Sequence, residues 1–133
     1  MAQLDEQTRA FLTEPHFAVL ATYNADGTIQ QTVMWYDVDG DEILMNTAAG
    51  RVKDGNLRRD PRVSVCIDDG YRFVTVSGTV RLIEDQATAQ ADIRRLALRY
   101  SDDPARFEAE AEHFRHEQRI TLRLSVQHVI KRL

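Results

Sequence analysis

The sequence has 133 residues, 43% of them apolar and 29% charged, with a formal net charge of −4. That is enough chain for one domain with a real core and too little for two, and the acidic balance excludes a general nucleic-acid binder, whose surface is basic. No apolar run is long enough to cross a bilayer, the opening segment MAQLDEQTRAFL carries acids where a secretory leader carries a basic and then an apolar stretch, and the single cysteine, Cys66, cannot close an internal disulfide, so a cytoplasmic domain is expected.

Leu4, Thr8, Phe11 and Leu12 share one stripe at helical spacing, which predicts a short amphipathic helix ending before Pro15. FAVLATY, IQQTVMWYDV and EILMNT follow as strand-like runs separated by Asp26-Gly27 and Asp39-Gly40. Asp-Gly pairs between such runs signal hairpins, because glycine accepts the positive φ of a tight turn. The expectation is a three-strand meander. GRVKDGNLRRD reads as a loop entering a short helix closed by Pro61. RVSVCID alternates, with Val63, Val65 and Ile67 on one face and Ser64 and Cys66 on the other, where Cys66 is expected simply to pack. Asp69-Gly70 marks a third turn, and YRFVTVSGTVRLIE is the longest strand, with Gly78 predicting a bulge or bend.

After Asp85, a predicted N-cap, Ala89, Ile93, Leu96, Ala97 and Tyr100 trace a helical face. Asp103-Pro104 restarts a second helix, proline being favoured at the first helical position. RITLRLSVQHVIKRL returns to strand. One domain over residues 1–133 is expected: mainly β, a small barrel of six or seven antiparallel strands with flanking helices.

The chemistry concentrates in NTAAGRVKDGNLRRDPR, where Arg51, Lys53, Arg58, Arg59 and Arg62 crowd together on an acidic protein. Small residues at Ala48, Ala49 and Gly50 let backbone amides approach a ligand. A helix start near Arg51 adds free N–H groups and partial positive charge, arginine and lysine grip phosphate oxygens, and Thr47 offers a hydroxyl. The same run is equally compatible with a solvated helix paired to Asp54 and Asp60. No nucleophile or hydrolytic set stands out. His113 and His116, with glutamates around them, fit an ordinary surface better than a metal face. An enzyme with this sequence therefore borrows its reactive group from a cofactor. A flat ring needs an apolar slot with polar edges, and QQTVMWYDV supplies Gln30, Gln31 and Thr32 as edges and Met34, Trp35 and Tyr36 as walls, unless these aromatics fill the barrel. Tyr71, just past a turn, is either a ring-stacking residue or packing.

The ATxxxDG turn, the tryptophan-bearing second strand and the block GRVKxxNLRRDPRVS occur in an order that resembles the pyridoxamine-phosphate-oxidase-like superfamily of split β-barrels. The likeness runs from about Leu4 to Val129, is weakest over the two late helices, and looks closest to small reductases using the deazaflavin coenzyme F-420. It implies a homodimer with the cofactor at its interface. It further implies Thr47, Arg51 and Lys53 as phosphate ligands, with Ala48 among the cofactor-binding residues, Asn56 supporting the loop, Gln30, Gln31, Thr32 and Val33 along the ring, and Tyr71 at the pocket mouth. The activity implied is hydride transfer to an unsaturated small-molecule acceptor; the alternatives are an FMN-dependent oxidoreductase on the same fold and a non-catalytic flavin or haem carrier. Relatives commonly have proline near Val33, serine near Ala48 and a basic residue at the place of Gly55. The chain runs out at IKRL without the Arg-Leu-Ala-Pro signature of true pyridoxamine phosphate oxidases, so that activity itself is not expected.

Overall fold

The computed structural model describes residues 3–133. Its turns follow from glycine: Gly27, Gly40 and Gly70 take φ of 86°, 62° and 97°, a region that a Cβ disfavours. Around them the elements run α1 (Glu6–Thr13), β1 (Ala18–Tyr23), β2 (Ile29–Met34), β3 (Asp37–Asp39), β4 (Glu42–Ala48), α2 (Val52–Arg59), β5 (Arg62–Asp68), β6 (Phe73–Ile83), α3 (Gln86–Tyr100), α4 (Pro104–Arg115) and β7 (Arg119–Arg132). α1, α3 and α4 begin at acidic caps. Asp5 accepts from the Thr8 amide, Asp85 from Thr88 and Asp103 from Ala105, with Pro104 opening α4.

The strands form one seven-stranded sheet in the order β2-β1-β5-β6-β7-β4-β3, and every neighbouring pair is antiparallel. β2 and β3 occupy opposite edges, yet only Trp35 and Tyr36 separate them in sequence. A flat sheet would hold its edges roughly 29 Å apart at about 4.8 Å per strand, while the chain between Met34 and Asp37 reaches at most about 10 Å. The sheet must curl until the Met34 end of one edge and the Asp37 end of the other come together, while the two edge strands stay unpaired with each other. The protein is therefore a split β-barrel, mainly β with flanking helices.

This corner corrects the expected meander. The run IQQTVMWYDV is one strand in pattern and two in fact, because Tyr36 turns inward at the break. Tyr36 is wholly buried and its hydroxyl donates toward the carbonyls of Leu12 and Glu14, 2.9 Å from each. Tyr36 thus belongs to the core and not to a ligand slot. Burial raises its phenol pKa well above the usual range. The core joins Leu12, Leu20, Ile43, Met45, Val65, Ile67, Val76, Leu122 and Leu124 inside the barrel.

Gly78 sits at the predicted irregularity, a register shift at Ser77/Gly78, and a Cβ there would overlap the Ser125 carbonyl oxygen. The alternation of β5 holds, but Cys66 is exposed on the outer face instead of packed. α3 lays Ala89, Ile93, Leu96 and Ala97 against the sheet, with α4 beside it. Among the described residues, no helix is long and apolar enough to cross a membrane.

Candidate functional site

β4 ends at Ala48, the chain turns at Gly50 with φ of 86°, and Arg51 caps α2. The Asp54 carboxylate reaches back to accept from the Gly50 amide at 2.8 Å, which fixes the turn. The cations of this segment then divide. Arg58 donates to Asp54 at 2.7 Å and to Glu84 at 2.6 Å. Arg59 donates to Asn56 Oδ1 at 2.7 Å and to the Tyr23 carbonyl at 3.0 Å. Arg62 pairs with Asp60 at 2.7 Å. Asn56 in turn donates to Thr22 Oγ1 at 3.0 Å and Asn24 Oδ1 at 2.9 Å, pinning α2 to the end of β1. These arginines fit the solvated, acid-paired description.

Arg51 and Lys53 do not. Lys53 is only 6% exposed, and among the described residues neither it nor Arg51 meets a carboxylate. Burial first, then the charges of Arg51 and Arg119, hold the Lys53 pKa below the ordinary lysine value. Arg119 is buried too, its Nε donating to Asn46 Oδ1 at 2.9 Å and its Nη1 to Glu117 at 2.9 Å. Asn46 is held by the Ala89 carbonyl at 2.9 Å. Next to it in β4, the buried Thr47 hydroxyl has no hydrogen-bond partner. Of these three cations only Arg119 meets a carboxylate, that of Glu117, and α2 begins beside them at Arg51. The arrangement suits an anion by charge and by unused donors.

A cavity of about 200 Å³ opens here, lined by Phe17, Val33, Met34, Trp35, Asn46, Arg51, Phe114 and Arg119. It brings Val33 from the expected ring set together with Arg51 from the expected phosphate set. The β2 residues divide between faces: Gln31 and Val33 point outward, whereas Gln30 and Thr32 are partly covered, and the buried Thr32 hydroxyl has no partner. Side chains of all four cannot meet one ring, but the free backbone edge of β2 is available to it. Ala48 is buried opposite Arg119. Tyr71 is 91% exposed on the β5–β6 turn and does not line this cavity within one chain.

A larger cavity of about 290 Å³ lies on the outer sheet face among Ala21, Ser64, Ser77 and Arg62. Its arginine is already paired with Asp60, so the smaller cavity has the stronger claim to an anion. His113 and His116 each face a glutamate of their own, Glu117 at 3.8 Å and Glu112 at 2.9 Å.

Arg119 and Asn46 were not singled out from the sequence. Arg119 heads β7 and reaches the cavity only because its register sets it across from Ala48, and no local pattern carries that pairing.

A family model for pyridoxamine 5′-phosphate oxidase matches residues 4–131. The chain belongs to this family. Among solved structures, a conserved hypothetical protein from Mycobacterium tuberculosis is similar at 26% identity over 98% of this chain and 85% of that one, with a TM-score of 0.81. An F-420 reductase shares the fold at 24% identity, covering 96% of this chain and 98% of that chain, with a TM-score of 0.76. A haem-binding protein from Mycobacterium smegmatis does so at 20% identity over 99% of this chain but 55% of its own length, with a TM-score of 0.66. As a member of the pyridoxamine 5′-phosphate oxidase family, the chain places its unpaired cations where β4 passes into α2, beside the free edge of β2.

Proposed function

We propose that this protein binds the deazaflavin coenzyme F-420 and uses it to reduce an unsaturated small molecule. The observation that carries the reading is Lys53, a buried cation without a carboxylate of its own, set between Arg51 and Arg119. Burying an uncompensated charge is costly, and an anionic ligand group restores the balance. Lys53 and Arg51 hold the coenzyme's phosphate, the Thr47 hydroxyl donates to it, and Asn56 keeps the loop in place. Val33 and Trp35 shield one face of the ring from water, while the unpaired edge of β2 offers N–H and C=O groups to its polar rim. When bound and reduced, the coenzyme supplies a hydride from C5. The protein's contribution is positioning, which needs no acid or base side chain to give a large rate effect.

In this reading a second copy of the chain closes the cleft, since the exposed Ile29 and Val33 leave an apolar edge and Tyr71 can reach a ring only from a partner. FMN remains the second reading on one observation. Arg58 and Arg59, which a longer glutamate-bearing tail would use, are already engaged, and FMN needs only the compact phosphate cradle. Titrating the purified protein in parallel with F-420 and FMN decides between them. Tight F-420 binding supports the proposal, tight FMN binding with no F-420 affinity transfers it to FMN, and affinity for neither overturns both.

A further inference from the structure

Behind Phe17 and Trp35 lies a third cavity, of about 180 Å³, which shares those two side chains with the cation-lined one. Its wall is a run of near-parallel rings. Phe17 and Tyr100 stand 5.5 Å apart at 26°, and Trp35 and Tyr100 stand 5.6 Å apart at 10°. Tyr100 is anchored by the Tyr36 backbone, its hydroxyl lying 3.2 Å from that carbonyl. The mouth carries Asp102, Arg106 and Glu110. Arg106 is already paired with Glu110 at 3.1 Å, and Asp102 meets no cation among the described residues. The mouth is therefore net negative, the opposite sign to the neighbouring cleft.

We infer that this aromatic cavity is a binding site for a flat ring system of one or two fused rings that carries hydrogen-bond donors or a positive charge. It discriminates against carboxylated rings. Stacking on Phe17, Trp35 and Tyr100 holds the ring, and Asp102 and Glu110 read its donor. The inference goes beyond the proposed function: the Phe17 and Trp35 side chains stand between this site and the cation-lined cleft, so a ring held here is bound apart from the coenzyme.

The sole tryptophan of the chain gives a single indole N–H signal in a 15N-correlated NMR spectrum, which responds to binding in either cavity that Trp35 lines, so the probes are titrated with the cation-lined one blocked by phosphate. The probes are 1-naphthylmethylamine, 1-naphthalenemethanol and 1-naphthoate, in phosphate buffer so that small carboxylates are kept out of the Lys53 cradle. The expected result is a Trp35 shift with the amine and the alcohol, the amine binding about tenfold tighter than the naphthoate. Asp102→Asn with Glu110→Gln should abolish that preference and leave coenzyme affinity unchanged; both side chains lie at the mouth, so folding is not at stake. No Trp35 shift with any probe, or naphthoate binding as tightly as the amine, overturns the inference. Probe binding without affinity for either coenzyme overturns the coenzyme reading and leaves the aromatic site standing. Coenzyme binding without probe binding overturns the aromatic site alone.

Discussion

Between Gly50 and Arg62 the chain carries two sets of cations in opposite environments. Arg58, Arg59 and Arg62, at the far end of α2, are answered by Asp54, Glu84, Asn56 and Asp60. Arg51, at the near end, lines a cavity, and the buried Lys53 beside it feels the charges of Arg51 and of a third cation, Arg119. The difference arises from spacing. Asp54 lies four residues before Arg58, the favourable order for an acid and a base on one helix face, whereas the positions three and four residues from Lys53 hold Ala49, Gly50, Asn56 and Leu57. A charged segment is not uniformly solvated. Its ends have to be judged separately.

The sharpest way to break this contrast is Lys53→Met. We expect coenzyme affinity to fall roughly 10- to 100-fold, the loss of one charge-assisted contact of about 1.5–3 kcal/mol, as read by equilibrium titration. The ligand-free protein should at the same time be no less stable in urea, because a charge that burial disfavours has been removed. A loss of stability with unchanged affinity would falsify the cradle. Asn56→Ala comes next, and its effect is structural. Leaving Thr22, Asn24 and Arg59 without their shared partner should cost about 1–3 kcal/mol in a urea titration.

A pH series sharpens the same comparison. The Lys53 pKa is lowered in the folded protein by burial, so the unfolded chain binds more protons above the folded pKa. Stability of the ligand-free protein should therefore rise with pH between the folded value and that of an ordinary lysine. Coenzyme affinity should fall over that window as Lys53 loses its charge. Lys53→Met should flatten both curves. The smallest effect belongs to Arg58→Ala, an exposed side chain whose ion pairs are screened by solvent. Coenzyme affinity should stay within about twofold of the parent, and a larger drop would mean that the far end of α2 also touches the ligand.

Much of this was legible in the sequence because it is local. The Asp-Gly turns, the caps at Asp85 and Asp103, the alternation of β5 and the short helix after Gly50 depend only on neighbouring residues. The break at Trp35–Tyr36 was not, because the strand pattern continues across it and only the closing of the barrel turns Tyr36 inward. At the site, Arg51, Lys53 and Thr47 stood out by composition and spacing. Arg119 did not, since its place beside Lys53 is set by the pairing of β7 with β4, elements far apart in the chain. Cys66 shows the same limit: alternation identified its face but could not say whether that face is covered.

The position of β7 also bears on how the chain is made. It lies between β6 and β4, so Glu42 waits for Ser125 before its strand gains the second neighbour. At a synthesis rate of about 5–20 residues per second, a nascent chain spends seconds with two bare sheet margins, each able to recruit a stranger. Contacts of such long sequence separation also slow folding itself. Emergence of the final strand is then the event that converts an aggregation-prone half-product into a closed molecule, and variants that weaken β7 should be lost in the cell to insolubility sooner than to any defect at the cation-lined cleft.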